Sequence, residues 1–295
     1  MKKQIIILFT GLTLLSSCYD AMNEVPLERM PPEIAFKDSL KVEMFVNELY
    51  VGLNTGIGGY NSFGGGAANQ NSFFDCVTDL GVLSPRGTNT AINSFTGATF
   101  HSGSGGNTDS RWAQVYQYMR KTNVVLEYIH YCEQLSQAKM AQYVGEAKLH
   151  KALLHYEMLK RYGGITIMDD LFAGGNIELP RNTFDECVEY IVRLCEEAAG
   201  GLPLRYPDND YGRLTKGAAL GLKAKVLLYA ASPLFNENPI AGTTEIQRYA
   251  SPDDRRWERA AKAALDVINL RMPNGAPAYE LFPSYERLFF TREGN

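Results

Sequence analysis

From Ser110 onward apolar residues recur every three or four positions, and that period confines this part of the chain to amphipathic helices packed on one another. Val115, Tyr118, Met119, Thr122, Leu126 and Ile129 make one stripe of a helix that ends near Tyr131. Between 136 and 162 both faces are apolar, with Leu149, Ala152, Leu153, Tyr156 and Leu159 on one side and Val144, Ala147, Leu154 and Met158 around it. Such a helix has to be covered on several sides. Gly163-Gly164 stops it, and residues 165–168, Ile-Thr-Ile-Met, read as extended.

The later helices carry their own start signals. Thr183 with Glu186 three residues on is a capping box, and Asp185 suits the positive end of the helix dipole. Phe184, Cys187, Val188, Ile191, Leu194, Cys195 and Ala198 follow as a narrow stripe. Thr215 opens a helix so apolar, through Ala218, Ala219, Leu222, Val226, Leu227 and Ala230, that it is expected at the centre of the core before Ser232-Pro233 ends it. A last helix is expected from Ser251-Pro252-Asp253-Asp254, with Trp257, Ala261, Ala264 and Ile268 facing inward. Near the start, Asp38 or Ser39 can cap a helix whose stripe is Val42, Phe45, Val46, Leu49 and Leu53. Consecutive pairs of this kind, with small residues at their crossings, predict a mostly α fold. It is a tetratricopeptide-like helical stack with long loop insertions and few short strands.

Residues 54–109 break the pattern. Gly58-Gly59, Gly64-Gly65-Gly66 and Gly103-Ser104-Gly105-Gly106 alternate with asparagines and aromatics, which makes a long, loop-rich insertion of the kind that carries function. No Gly-Lys-Ser/Thr follows the glycines, so a phosphate cradle is not expected.

At the N-terminus Lys2-Lys3 precede an apolar run over residues 5–15, followed by Leu15-Ser16-Ser17-Cys18. This reads as a secretory signal over 1–17, too short to cross a bilayer as a stable helix. Leu-Ser-Ser-Cys is similar to the lipobox of bacterial lipoproteins, which implies cleavage before Cys18 and acylation of its sulfur. Each buried acyl CH₂ is worth about 0.8 kcal/mol, so several chains anchor durably. Residues 18–38, polar and marked by Pro26, Pro31 and Pro32, then read as a lipidated tether, with the helical domain over 39–295. The other cysteines, Cys76, Cys132, Cys187 and Cys195, fit neither a metal site nor a disulfide framework. Cys187 and Cys195 fall on one side of a helix but about 12 Å apart along it, so all four are expected as buried thiols.

Several segments together resemble the SusD/RagB family. They are Arg111-Trp112-Ala113-Gln114-Val115-Tyr116 leading to Asn123, Gly145-Glu146-Ala147-Lys148 leading to Arg161-Tyr162-Gly163-Gly164-Ile165, and Arg213-Leu214-Thr215-Lys216-Gly217-Ala218-Ala219 running on to Phe235. The resemblance implies a non-catalytic outer-membrane lipoprotein on the cell exterior. Such a protein captures oligosaccharides or other oligomeric nutrients and passes them to a SusC-like TonB-dependent barrel transporter. It also implies a chain that continues further, since residues 288–295 read as the lead-in to another segment.

Sugar recognition needs flat aromatic faces for the apolar side of the ring and amides or carboxylates for its hydroxyls. The insertion offers both, and Asn89, Asn93, Phe95, Phe100 and Asn107 are the candidate ligand residues. Trp112 and Trp257 are expected in the core, at the starts of their helices. With 29 basic against 33 acidic residues and no basic run, nucleic acid is not an expected partner. The four histidines, His101, His130, His150 and His155, form no HExxH and no GxSxG is present. Asp169-Asp170 and Glu196-Glu197 are adjacent carboxylates that point apart, so a glycosidase pair would have to be assembled across the fold. No EF-hand spacing occurs and no cofactor is expected. An envelope assembly role on the same helices is the alternative to nutrient binding.

Overall fold

The computed structural model describes residues 30–53, 79, 112–171, 178–237 and 241–290. Cys18, Asn89, Asn93, Phe95, Phe100 and Asn107, together with Cys76 and most of the 54–109 insertion, lie outside the described residues. The described helices are α1 (Pro32–Ala35), α2 (Ser39–Val51), α3 (Trp112–Tyr128), α4 (Gln137–Tyr162), α5 (Phe184–Gly201), α6 (Lys216–Ala231), α7 (Pro233–Asn236), α8 (Arg255–Ile268) and α9 (Tyr285–Leu288). Single 3₁₀ turns follow at Ile129–Tyr131 and Asp208–Asp210. No strand occurs among the described residues; residues 165–168 belong to no ladder, and the Ile165 carbonyl accepts from the Asn182 amide at 3.0 Å. The helical stack is the architecture that the sequence period predicts.

Local chemistry starts these helices where expected. Asp38 accepts from the Leu40 amide, Ser136 from Lys139 and Thr215 from Ala218. At α5 the capping box closes in both directions, with the Glu186 amide donating to Thr183 Oγ1 at 3.2 Å and the Thr183 amide to Glu186 Oε2 at 2.7 Å. Each donor satisfied in this way contributes about 1 kcal/mol. Helix α8 starts later than its sequence signal, at Arg255, where the Asp253 carboxylate accepts from the Arg255 amide.

Each long helix packs on its neighbour in the chain, α3 on α4, α4 on α5, α5 on α6 and α6 on α8, while α2 lies against α3 and α4. The long α4 is the buried centre. One core fills the space from α3 to α8, where Phe184 stacks on Phe235 at 4.7 Å and meets Tyr249 edge-on at 5.2 Å. Truncating a ring held like that costs roughly 3–5 kcal/mol. A smaller core joins α1, α2 and α3 through Phe36, Val42, Val46, Val125 and Ile129.

Four expectations need correction. The packed domain begins before residue 39, because Ala35 and Phe36 are buried and α1 is anchored on Pro31 and Pro32; the end of the expected tether is part of the fold. Helix α6 sets Ala219, Leu222, Val226, Leu227 and Ala230 in the main core between α5 and α8, as expected, but Ala218 is exposed and Leu228 is 55% exposed, so α4 and not α6 is the helix covered on most sides. Helix α8 is turned from its expected setting. It buries Ala260 and Ala263, whose small side chains face the stack, and leaves Trp257, Ala261, Ala264 and Ile268 outward. Arg259 pairs bidentately with Glu189 and Arg256 lies 3.5 Å over the Tyr249 ring, and these polar anchors select the face that docks. Finally, Trp112 and Trp257 are both exposed rather than core.

Candidate functional site

The three segments that carry the family resemblance converge on two polar hubs. The first surrounds Glu146, a carboxylate of α4 with no exposed surface. It accepts from the Tyr50 hydroxyl of α2 at 2.8 Å, from Gln142 Nε2 at 2.7 Å and from Arg213 Nη1 at 2.9 Å. Tyr206 also reaches it, and donates to the Leu214 carbonyl at 3.0 Å. Arg213 is in turn held by Asp210 at 2.9 Å, Asn47 at 2.7 Å and Glu43 at 3.4 Å. A buried charge is tolerated only when paired and hydrogen-bonded, and here both conditions are met. Burial and the nearby Glu146 charge push the Tyr50 hydroxyl well above its ordinary pKa, so it stays a donor.

The second hub holds the extended segment after α4. Lys151 of α4 is 2% exposed and meets Asp169 at 2.5 Å, while the Tyr190 hydroxyl donates to the same carboxylate oxygen. Asn123 donates to the carbonyls of Met168, at 3.0 Å, and Asp170. Gly163 takes φ +72°, and Arg181 donates to the carbonyls of Tyr162 and Gly164. Gly164 is needed because a side chain there would overlap the Asn182 carbonyl. Burial depresses the Lys151 ammonium pKa. Burial would raise the Asp169 carboxyl, but the hydrogen bonds from Lys151 and Tyr190 outweigh it and hold that carboxyl below the usual range.

The insertion leaves from the end of α2 and returns at α3. Its two stems meet, since Gly52 lies directly against the Tyr118 ring. At the returning stem Trp112 is 37% exposed, with Tyr116 at 5.2 Å and Tyr162 edge-on at 5.1 Å. The Tyr116 hydroxyl is held by the Thr166 carbonyl at 3.0 Å. This aromatic group is the described surface closest in sequence to the expected ligand residues, whose own positions are outside the described residues. Sequence reasoning assigned Trp112 to the core because it opens an amphipathic stripe. The signal for the other outcome was its place at the edge of the insertion.

Three of the four carboxylates weighed for catalysis are ion-paired. Asp169 is held by Lys151, Glu196 by Lys223 at 2.8 Å and Glu197 by Lys148 at 2.7 Å. His150 and His155 diverge as expected, His150 edge-on to Tyr50 and His155 beside Tyr190. Burial pulls their imidazole pKa values down to about 3 and about 4. Cys132, Cys187 and Cys195 are buried free thiols, and burial raises Cys195 to about 12. Among the described residues no group of three or more His, Cys, Asp and Glu could hold a metal ion, and no helix is long and apolar enough to cross a membrane.

Comparison with known proteins agrees with this geometry. The SusD-like family profile described as "Starch-binding associating with outer membrane" matches residues 27–228. SusD-like protein P25 of Formosa agariphila is 23% identical over 235 residues, 77% of this chain and 43% of its own length. A SusD-like protein of Bacteroides fragilis superposes with a TM-score of 0.53 at 24% identity, over 83% of this chain and 40% of that one. Surface glycan-binding protein A of Bacteroides thetaiotaomicron, in complex with laminarihexaose, does so with a TM-score of 0.54 at 18% identity, over 85% of this chain and 46% of that one. The chain therefore spans less than half the length of these relatives. With the family profile covering both polar hubs and most of the helical stack, the chain belongs to the SusD-like family.

Proposed function

We propose that this protein is a non-catalytic, surface glycan-binding lipoprotein. It captures oligosaccharides and delivers them to a SusC-like TonB-dependent barrel transporter, held to the outer membrane through Cys18. The observation that carries the reading is the exposed Trp112 with Tyr116 and Tyr162 at the stem of the insertion, in a chain whose fold is shared with a laminarihexaose-bound protein. A flat indole takes the C–H face of a pyranose, while Asn89, Asn93 and Asn107 supply amides for hydroxyls and Phe95 and Phe100 further rings. Asp169 of the second hub is ion-paired with Lys151, and outside that hub Glu197 is ion-paired with Lys148, which supports a structural role for both carboxylates.

Migration in native gels containing laminarin or soluble starch tests it. Retardation of the wild-type chain without release of reducing ends, reduced by Trp112→Ala and by Asn93→Ala, is the expected result. Release of reducing ends, or free migration in every polysaccharide tried, overturns the reading. Fatty-acid labelling that is lost in Cys18→Ala tests the anchor separately, and co-purification of a barrel protein tests the transporter.

A further inference from the structure

Beside the first hub, between α2 and the 3₁₀ turn at Asp208–Asp210, lies a cavity of about 360 Å³ lined by Asn47, Tyr50, Asn209, Asp210, Tyr211 and Arg213. That volume is at the small end of the range for ligand pockets. We propose that it is a second sugar subsite, which takes one unit of a neutral oligosaccharide through its vicinal hydroxyls.

The polar groups of this cavity are fixed before any ligand arrives. Arg213 holds Asn47 Oδ1 with Nη2 and Asp210 Oδ1 with Nε, which leaves the Asn47 amide protons and Asp210 Oδ2 to offer a donor and an acceptor. Two further donors of Arg213 go to Glu146 and Glu43. Three carboxylates, Glu43, Glu146 and Asp210, surround this one guanidinium, so the cavity repels anions and the arginine is committed elsewhere. That argues for an uncharged polyhydroxyl ligand over a phosphate, a uronate or a sialylated sugar.

The aromatic wall is Tyr211, 78% exposed. It is presented by a short rigid turn: the Asp210 amide donates to Pro207 at 2.9 Å, Tyr211 to Asp208 and Arg213 to Asp210, and Gly212 takes φ +98°, where a side chain would be strained. An exposed ring next to a fixed amide and a fixed carboxylate is the chemistry that recognises a sugar face and its hydroxyl edge. The sequence shows its source in Pro207-Asp208-Asn209-Asp210-Tyr211-Gly212, a run of turn-forming residues with one tyrosine.

This inference rests on the glycan-binding reading, and one titration series separates the two. The full chain is titrated calorimetrically with laminarihexaose and with maltohexaose, beside Tyr211→Ala, Tyr211→Phe and Trp112→Ala. Tyr211→Ala is expected to weaken binding at least fivefold and Tyr211→Phe less than twofold, with the melting temperature of each variant recorded beside its affinity so that a loss of fold is told apart from a loss of the stacking wall. Wild-type affinity in Tyr211→Ala, with a loss in Trp112→Ala, overturns the second subsite and leaves the glycan reading standing. Equal loss in Tyr211→Ala and Tyr211→Phe also overturns it, because a stacking wall keeps its function without the hydroxyl. No heat of binding from either hexasaccharide with the wild-type chain takes down both.

Discussion

Glu146 and Arg213 meet at 2.9 Å although 67 residues separate them, and through this pair α4 is tied to the loop that starts α6. Removing Arg213 strands a carboxylate with no exposed surface, so Arg213→Ala should cost about 3–5 kcal/mol in urea unfolding. Glu146→Gln should cost less, because Arg213 keeps Asp210, Asn47 and Glu43. The double variant should lose less than the sum of the two, and strict additivity would show that the pair is not coupled.

The second hub predicts an acid-side loss of stability. Asp169 binds its proton less readily in the folded chain than in the unfolded one, so between about pH 5 and its depressed folded pKa the unfolded state holds more protons. Its contribution is therefore present above that window and lost as pH falls through it. Glu157 and Glu197, also held low by cations, add to the same slope. Asp169→Asn should make stability less steep with pH between 5 and 3 in urea unfolding, and an unchanged slope would remove Asp169 from the account.

Two glycines should respond in opposite senses. Gly164→Ala drives a methyl into the backbone of Asn182 and should destabilise by about 3 kcal/mol. Gly221 sits inside α6 with open space around it, so Gly221→Ala should stabilise by about 1 kcal/mol. Thermal melts of the two variants check the sign of each.

Trp257 tests the turned setting of α8. At 44% exposed its removal should cost less than about 1 kcal/mol in urea unfolding, against roughly 3–5 kcal/mol for Phe184→Ala in the core. A comparable loss in both variants would restore the inward reading of that stripe.

What was legible in the sequence follows from the range of the interactions. Asp38, Thr183 and Thr215 cap as expected because a cap and its amide are three residues apart or fewer; Ser136 caps α4 in the same way, although no start signal was read there. The buried stripe of α5 was likewise read correctly, since Phe184, Cys187, Val188 and Ile191 belong to one face of one helix. Periodicity found the apolar face of α8 but could not say what it meets. That was decided by Glu189, Tyr249 and the small Ala260 and Ala263, which lie on other elements or on the neighbouring face. The pairing of Glu146 with Arg213 was equally hidden, although both residues stand in segments that carried the family resemblance. For the candidate site, Trp112 was named but placed in the core, and Asn47, Asp210 and Tyr211 were passed over because helix-face and turn residues of these types are common.

Gly52 against Tyr118 brings the end of α2 and the beginning of α3, the two described flanks of residues 54–111, to a common root, with Tyr118 only about 9 Å along α3 from its first residue. An excursion whose two ends are already neighbours adds little closure entropy when it lengthens or shortens. The helices thus act as a socket, and a transplanted excursion of different length or composition can change what the molecule prefers while the socket keeps its shape.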